Sequence, residues 1–194
     1  MPWYLLCGLV ILAFLWLGPL PALSRTAFSP GMIVHLGVVA LAAPLIAYGI
    51  SRIVRSSIPA ALVICAMVID MAVVLGWHVP YFHDWAATDW RVYALEQISF
   101  LVVGFIVWYA AFNSAPLLGA ATLFLIFMHM TLLGSFLAIS SRTFYDPEVC
   151  RGAFGFSPLA DQRFGGVLMA SWGALAYLAG SLVLFHHAVS GAAD

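Results

Sequence analysis

Lysine is absent from this chain of 194 residues, and charge of either sign is scarce. Seven arginines and eight carboxylates make up 8% of the sequence, against roughly 25% in ordinary soluble domains. A water-facing surface cannot be assembled from so few charges, which excludes a soluble enzyme. No basic stripe is present, which excludes a nucleic-acid partner. The three cysteines form no CxxC pair: Cys7 and Cys65 stand in apolar runs and Cys150 in a polar loop. This excludes a disulfide-built secreted module and a dithiol redox or metal clip, and the thiols read as buried or idle. No CxxCH occurs, so covalent c-type heme is excluded. Nucleophile–base motifs and phosphate loops are also missing, and the chain reads as a non-enzyme.

What is present is apolar length. Hydrophobic residues make up 64% of the chain. About 20 apolar residues cross a bilayer, and six such runs can be marked. They cover about Trp3–Leu17, Gly31–Ile53, Pro59–Trp77, Arg91–Phe112, Pro116–Ile139 and Phe164–His187. The expected fold is all-α, a single polytopic membrane bundle of about six transmembrane helices over residues 1–194. The first run lacks a basic leader and is followed by further spans, so it reads as an uncleaved helix rather than a signal peptide. Pro30, Pro59 and Pro116 suit helix starts, and Pro80 stops the third span. Tyr81–Trp90 reads as a polar loop, and Ser140–Arg163 as the longest one. The Asn113–Pro116 turn makes spans four and five antiparallel neighbours. Ala170/Ala174 and Ala176/Gly180 are small pairs that let helices approach closely.

Sidedness rests on arginine. Loops one, three and five share one face and hold five Arg, but also six carboxylates. The Ser51–Ser57 turn carries only Arg52 and Arg55. It is read as cytoplasmic, with both termini inside, although a strict arginine count points the other way. The tail Ser190–Asp194 is short and polar.

Polar residues inside apolar spans are costly, so each needs a partner or a function. His35, Asp70, His78, Glu96, Gln97, His129, Asp161 and Gln162 all fall in the half of the membrane next to loops one, three and five. His186 and His187 sit at the opposite end and read as interfacial, and His83 as an exposed loop residue. Met67, Met71 and His78 share one helical stripe, as do Met32 and His35. Met128 and Met130 flank His129. Imidazole with thioether suits copper, Cu(I) above all, and carboxylates orient ligating imidazoles from behind. Spacing alone leaves heme b open as well, with His35 and His78 as a matched axial pair. Asp70 is either a buried hydrogen-bond partner or a protonatable relay residue.

Several segments resemble the multi-pass CtaG family of cytochrome c oxidase assembly factors. They are His35-Leu36-Gly37 through Ala42-Ala43-Pro44-Leu45, Gly76-Trp77-His78-Val79-Pro80 and Leu95-Glu96-Gln97-Ile98-Ser99-Phe100-Leu101. His129 with Leu132-Leu133-Gly134, and Ser157-Pro158-Leu159-Ala160-Asp161-Gln162 before Gly165-Gly166-Val167-Leu168-Met169, complete the set. Order and spacing match over about residues 30–175. The resemblance implies a role in maturing a heme–copper terminal oxidase, with copper delivered to its catalytic subunit. It maps three family histidines onto His35, His78 and His129. Two further positions where the family often has histidine hold Gly31 and Gln97 instead.

The resulting expectation is a copper-binding assembly factor of a bacterial inner membrane, with its site facing the periplasm. His35, His78 and His129 are the expected ligands, with Met32, Met71, Met128 and Met130 as auxiliaries. Asp70, Glu96, Gln97, Asp161 and Gln162 stand behind them. The expected partners are the heme–copper oxidase catalytic subunit, membrane lipid, a periplasmic copper donor and a second copy of the chain. The rival readings are a small b-type membrane cytochrome and a non-catalytic structural subunit.

Overall fold

A computed structural model describes residues 2–54 and 56–191. Arg55, half of the basic turn, and residues 192–194 of the tail lie outside the described residues. The described residues form eight helices. They are α1 (Pro2–Leu17), α2 (Leu20–Ser24), α3 (Phe28–Ser51), α4 (Ala60–Trp77), α5 (Pro80–Thr88), α6 (Trp90–Phe112), α7 (Pro116–Ile139) and α8 (Pro158–Ser190). Helices α3, α4, α6, α7 and α8 are long and apolar enough to cross a membrane. The architecture is the expected polytopic helical bundle.

The first span differs from expectation. Helix α1 has 16 residues, about 24 Å at 1.5 Å per residue, short of the ~30 Å hydrocarbon core. It lies along the second half of α3, almost backbone to backbone. A Cβ on Gly49 would sit 2.9 Å from the Leu5 nitrogen, and one on Gly8 2.7 Å from the Ile46 side chain. Small residues bring α8 close to α7 in the same way. A Cβ on Gly166 would sit 2.6 Å from both the Gly134 oxygen and the Ala138 nitrogen.

Tyr81–Trp90, expected to be a loop, is mostly the helix α5. Pro80 supplies the first-turn geometry. His83, Ala86 and Ala87 fall on one buried face, while Tyr81, Phe82 and Trp85 are exposed. An apolar-faced helix with outward aromatics is the pattern of an interfacial segment.

Two long helices contain a π-helical turn, Gly37–Ala42 in α3 and Met169–Gly173 in α8. The first has a cause in the sequence. In the π register the Ala43 amide donates to the Val38 carbonyl, so the next donor, to Val39, should be residue 44. That residue is Pro44, which has no N–H. The Val39 carbonyl instead accepts from Trp108 Nε1 of α6 at 2.9 Å and from the Tyr177 hydroxyl of α8 at 3.4 Å. A carbonyl orphaned by proline thereby joins three helices in the middle of the bundle. Trp108→Phe should cost about 1–2 kcal/mol, the usual loss when a buried acceptor is left short of a donor. Trp16→Phe is the control, because Trp16 Nε1 is buried without a partner. Unfolding of both variants in detergent is the check, and equal losses would disprove the role of the Val39 carbonyl.

Candidate functional site

The N-terminal half of α3 carries the site's first histidine, and the last helix sets its position. Ala27 precedes α3 and offers no capping side chain. Asp161 of α8, fully buried, takes over that task. Its Oδ2 accepts from the Phe28 and Ser29 amides at 2.7 and 3.1 Å, and its Oδ1 accepts from the Ser29 hydroxyl and from the Ala153 amide at 3.3 Å. An acceptor at the helix start satisfies donors that have no intrahelical partner. The carboxylate expected to stand behind a metal ligand is thus spent on backbone and a hydroxyl. Its neighbour Gln162 is also committed elsewhere. Its Oε1 accepts from the Phe144 amide at 2.7 Å and its Nε2 donates to the Arg142 carbonyl at 3.2 Å, which ties down the 140–157 segment.

That segment covers one end of the bundle. The Tyr145 hydroxyl donates to the His78 carbonyl at 3.2 Å, and the Arg151 amide donates to the Thr26 carbonyl at 2.9 Å. Tyr145 and Cys150 are the segment's own buried side chains. Burial, then the Asp84, Asp161 and Asp146 carboxylates, push the Cys150 thiol up to about 12. Burial raises the Tyr145 hydroxyl as well.

Beneath this cover lie three histidines from three helices. His35 of α3 is 1% exposed and lies edge-on to His78 at the end of α4, ring centroids 5.6 Å apart. His129 of α7 is within electrostatic reach of both. The His78 Nδ1 lies 2.7 Å from the Val74 carbonyl, so it must carry the proton and the Nε2 of the neutral ring presents a lone pair. That His78 Nε2, both His35 nitrogens and the His129 Nε2 are buried without a hydrogen-bond partner. The His35 ring also packs 4.1 Å from Phe100, which holds it in place without offering a polar contact.

A cavity of about 20 Å³ opens beside His35 and His78, lined also by His83, Met32, Glu96 and Gln97, with His129 outside its lining. One water-sized occupant needs about 10–15 Å³. Glu96 Oε2 accepts from Gln97 Nε2 at 3.2 Å, and Gln97 Oε1 is buried without a partner. Buried polar groups are paired almost without exception, and each orphan costs about 1–3 kcal/mol. Four of these atoms, one nitrogen from each histidine and Gln97 Oε1, offer lone pairs to a cation, while the second His35 nitrogen keeps its proton.

The other expected residues lie elsewhere. Met71 is half-buried and Met130 fully buried in the core, and neither lines the cavity. Met128 is 43% exposed and faces outward, because it sits about 100° around α7 from His129. Asp70 is 1% exposed, with Oδ1 unpartnered. It belongs to a deeper layer, beside Tyr177 rather than the cavity. His186 and His187 are exposed at the far end.

Sequence reasoning missed His83. It is buried rather than exposed, and it approaches Cys150, 67 residues away. The spacing of His83, Ala86 and Ala87 after Pro80 was the available signal. Nothing local linked it to Cys150.

The family model described as cytochrome c oxidase caa3 assembly factor (Caa3_CtaG) matches residues 2–190. The chain belongs to this family. The match takes in every helix described above, including α1 and α5, which lie outside the segments of closest resemblance. No curated protein and no solved structure matches the chain. As a member of a cytochrome c oxidase assembly factor family, the chain supports the building of an oxidase.

Proposed function

We propose that this assembly factor carries copper in the His35–His78–His129 cluster and assists maturation of the copper centre of a heme–copper terminal oxidase. One observation carries the reading: His35 and His78, from α3 and the end of α4, line one ion-sized cavity with buried, unpartnered nitrogens, and His129 of α7 adds a third buried, unpartnered nitrogen nearby. Nitrogen donors with a nearby thioether from Met32 suit Cu(I). Copper is cargo here. The protein's residues hold it as neutral imidazoles, exclude water by burial and the 140–157 cover, and release it to the catalytic subunit. Gln97 and Glu96 border the same space and orient the set. In this reading the cluster faces the periplasm of a bacterial inner membrane, where a periplasmic donor loads it.

A b-type cytochrome is disfavoured by volume. Pockets for ligands of that size run to about 300–1,000 Å³, and the cavity here is about 20 Å³. Protein purified from its native membrane should contain close to one copper per chain at this cluster and show no Soret absorption. Elemental analysis with a visible spectrum makes the test. A Soret band with stoichiometric iron would replace copper by heme, and protein with neither would leave a structural subunit.

A further inference from the structure

Among the described residues, a group of three metal-ligating side chains stands together apart from the histidine cluster. His83, Asp84 and Cys150 each offer one donor atom, all within 4.8 Å of one another. We propose that they form a second metal site, a three-ligand seat for one thiophilic late first-row cation, zinc or copper, at the aqueous mouth of the histidine cavity.

The distances have the right scale. His83 Nδ1 lies 3.9 Å from Cys150 Sγ and 3.5 Å from Asp84 Oδ1. Metal–sulfur bonds of ~2.3 Å and metal–nitrogen or metal–oxygen bonds of ~2.0 Å at tetrahedral to trigonal angles put such donor pairs about 3.3–3.7 Å apart. The ligands need only a few tenths of an ångström to close. Thiolate, imidazole and carboxylate are the donor types zinc and copper take.

Each ligand is held by contacts outside the donor set, and the donors contact one another, His83 Nδ1 meeting both Asp84 Oδ1 and Cys150 Sγ. The His83 ring lies between Tyr145, 4.1 Å away, and Phe28, 5.5 Å away. Asp84 uses its other oxygen, Oδ2, to accept from the Asp146 amide at 3.4 Å. Asp146 in turn starts the tight turn that ends at Cys150, whose amide donates to the Asp146 carbonyl at 2.7 Å. The carboxylate and the thiol are therefore positioned by one structure.

Access completes the picture. The Asp84 side chain is 27% exposed, so an ion can arrive from water, whereas His35 is 1% exposed. His83 also lines the cavity that His35 and His78 line, so the two sites share a wall. Binding exchanges the thiol proton for the metal. The S–H bond breaks, an S–metal bond forms, the proton leaves to solvent, and nothing is oxidised or reduced. The site stands without the copper reading. Only its use as a loading step for the deeper cluster rests on that reading.

The full chain with Cys7→Ala and Cys65→Ala, both exposed thiols, leaves Cys150 as the sole thiol. Titrated with Co²⁺ as spectroscopic probe, it should show thiolate-to-cobalt charge transfer at one equivalent. Cys150→Ser should lose the band, and Asp84→Asn should weaken binding at least tenfold. His35→Ala should leave the band intact. Displacement by Zn²⁺ in one arm and by Cu⁺ under reductant in another tells which ion the seat prefers, and either supports the proposal. No charge-transfer band in the chain that keeps Cys150, or a band that survives Cys150→Ser, overturns it. Because the first result needs no change at the site, misfolding of a variant cannot decide the outcome. Loss of bound copper in His35→Ala alongside no band at Cys150 would defeat this inference and leave the copper reading standing. The reverse pattern would do the opposite.

Discussion

His35→Ala should reduce copper at the cluster to near background and abolish support for oxidase maturation. Both nitrogens of His35 are buried without partners, and the ring packs against Phe100 and His78, so no other side chain can replace it. Losing a residue that merely orients a ligand costs about 10–100-fold in metal affinity. Losing one of three direct ligands must cost more. His78→Ala should match it, whereas His129→Ala should fall somewhat short, because His129 is only half-buried and water can reach the vacated position. A His186→Ala/His187→Ala double variant should be indistinguishable from the parent. Cu(I) affinity by chelator competition, read beside oxidase activity in membranes, separates the outcomes. Unchanged affinity in both His35→Ala and His78→Ala would end the proposal. The same geometry predicts a gain. Gln97 lines the cavity with an unpartnered oxygen, so Gln97→His should add a fourth imidazole and tighten Cu(I) binding.

Asp161→Ala should be the most destabilising single change in the bundle, by about 3–5 kcal/mol. Hydrogen bonds to a charged group are worth about 1.5–3 kcal/mol each, and their removal leaves buried donors unpaired. The carboxylate accepts from two amides of α3, from the Ser29 hydroxyl and from the Ala153 amide. Asp161→Asn keeps one acceptor oxygen and should cost about half as much. Ser29→Ala removes one donor and its acceptor need together, and should cost about 1 kcal/mol. Denaturant or thermal unfolding in detergent gives the order. If Asp161→Ala costs no more than Ser29→Ala, the carboxylate is not holding α3. Copper affinity should fall in parallel, because His35 lies two turns along the helix that Asp161 anchors.

How much of this was legible depends on range. Pro116–Ile139 reads from sequence with its observed bounds because proline and a long apolar run mark a span without ambiguity. The level of the three histidines is also readable, since depth follows from counting residues along helices. Helix α5 escaped because nine residues interrupted by His83, Asp84 and Thr88 give no long apolar run. The roles of Asp161 and Gln162 escaped for a different reason. Their motif marks them as important, but their partners are backbone groups of α3 and of the 140–157 segment. A main-chain amide leaves no trace in side-chain identity. Cys150 and His83 illustrate the same limit, two residues meeting only because a loop folds back over the bundle.

The broken helix α3 has a consequence for biogenesis. Its carbonyl at Val39 and its first amides at Phe28 and Ser29 are completed by Trp108, Tyr177 and Asp161, all of which are synthesised later. Until the final span leaves the ribosome, the second one carries exposed polar groups that lipid cannot satisfy. The segment that bears His35 is therefore among the first inserted and the last to settle, and a nascent chain cut short before α8 should be recognised by membrane quality control as incomplete.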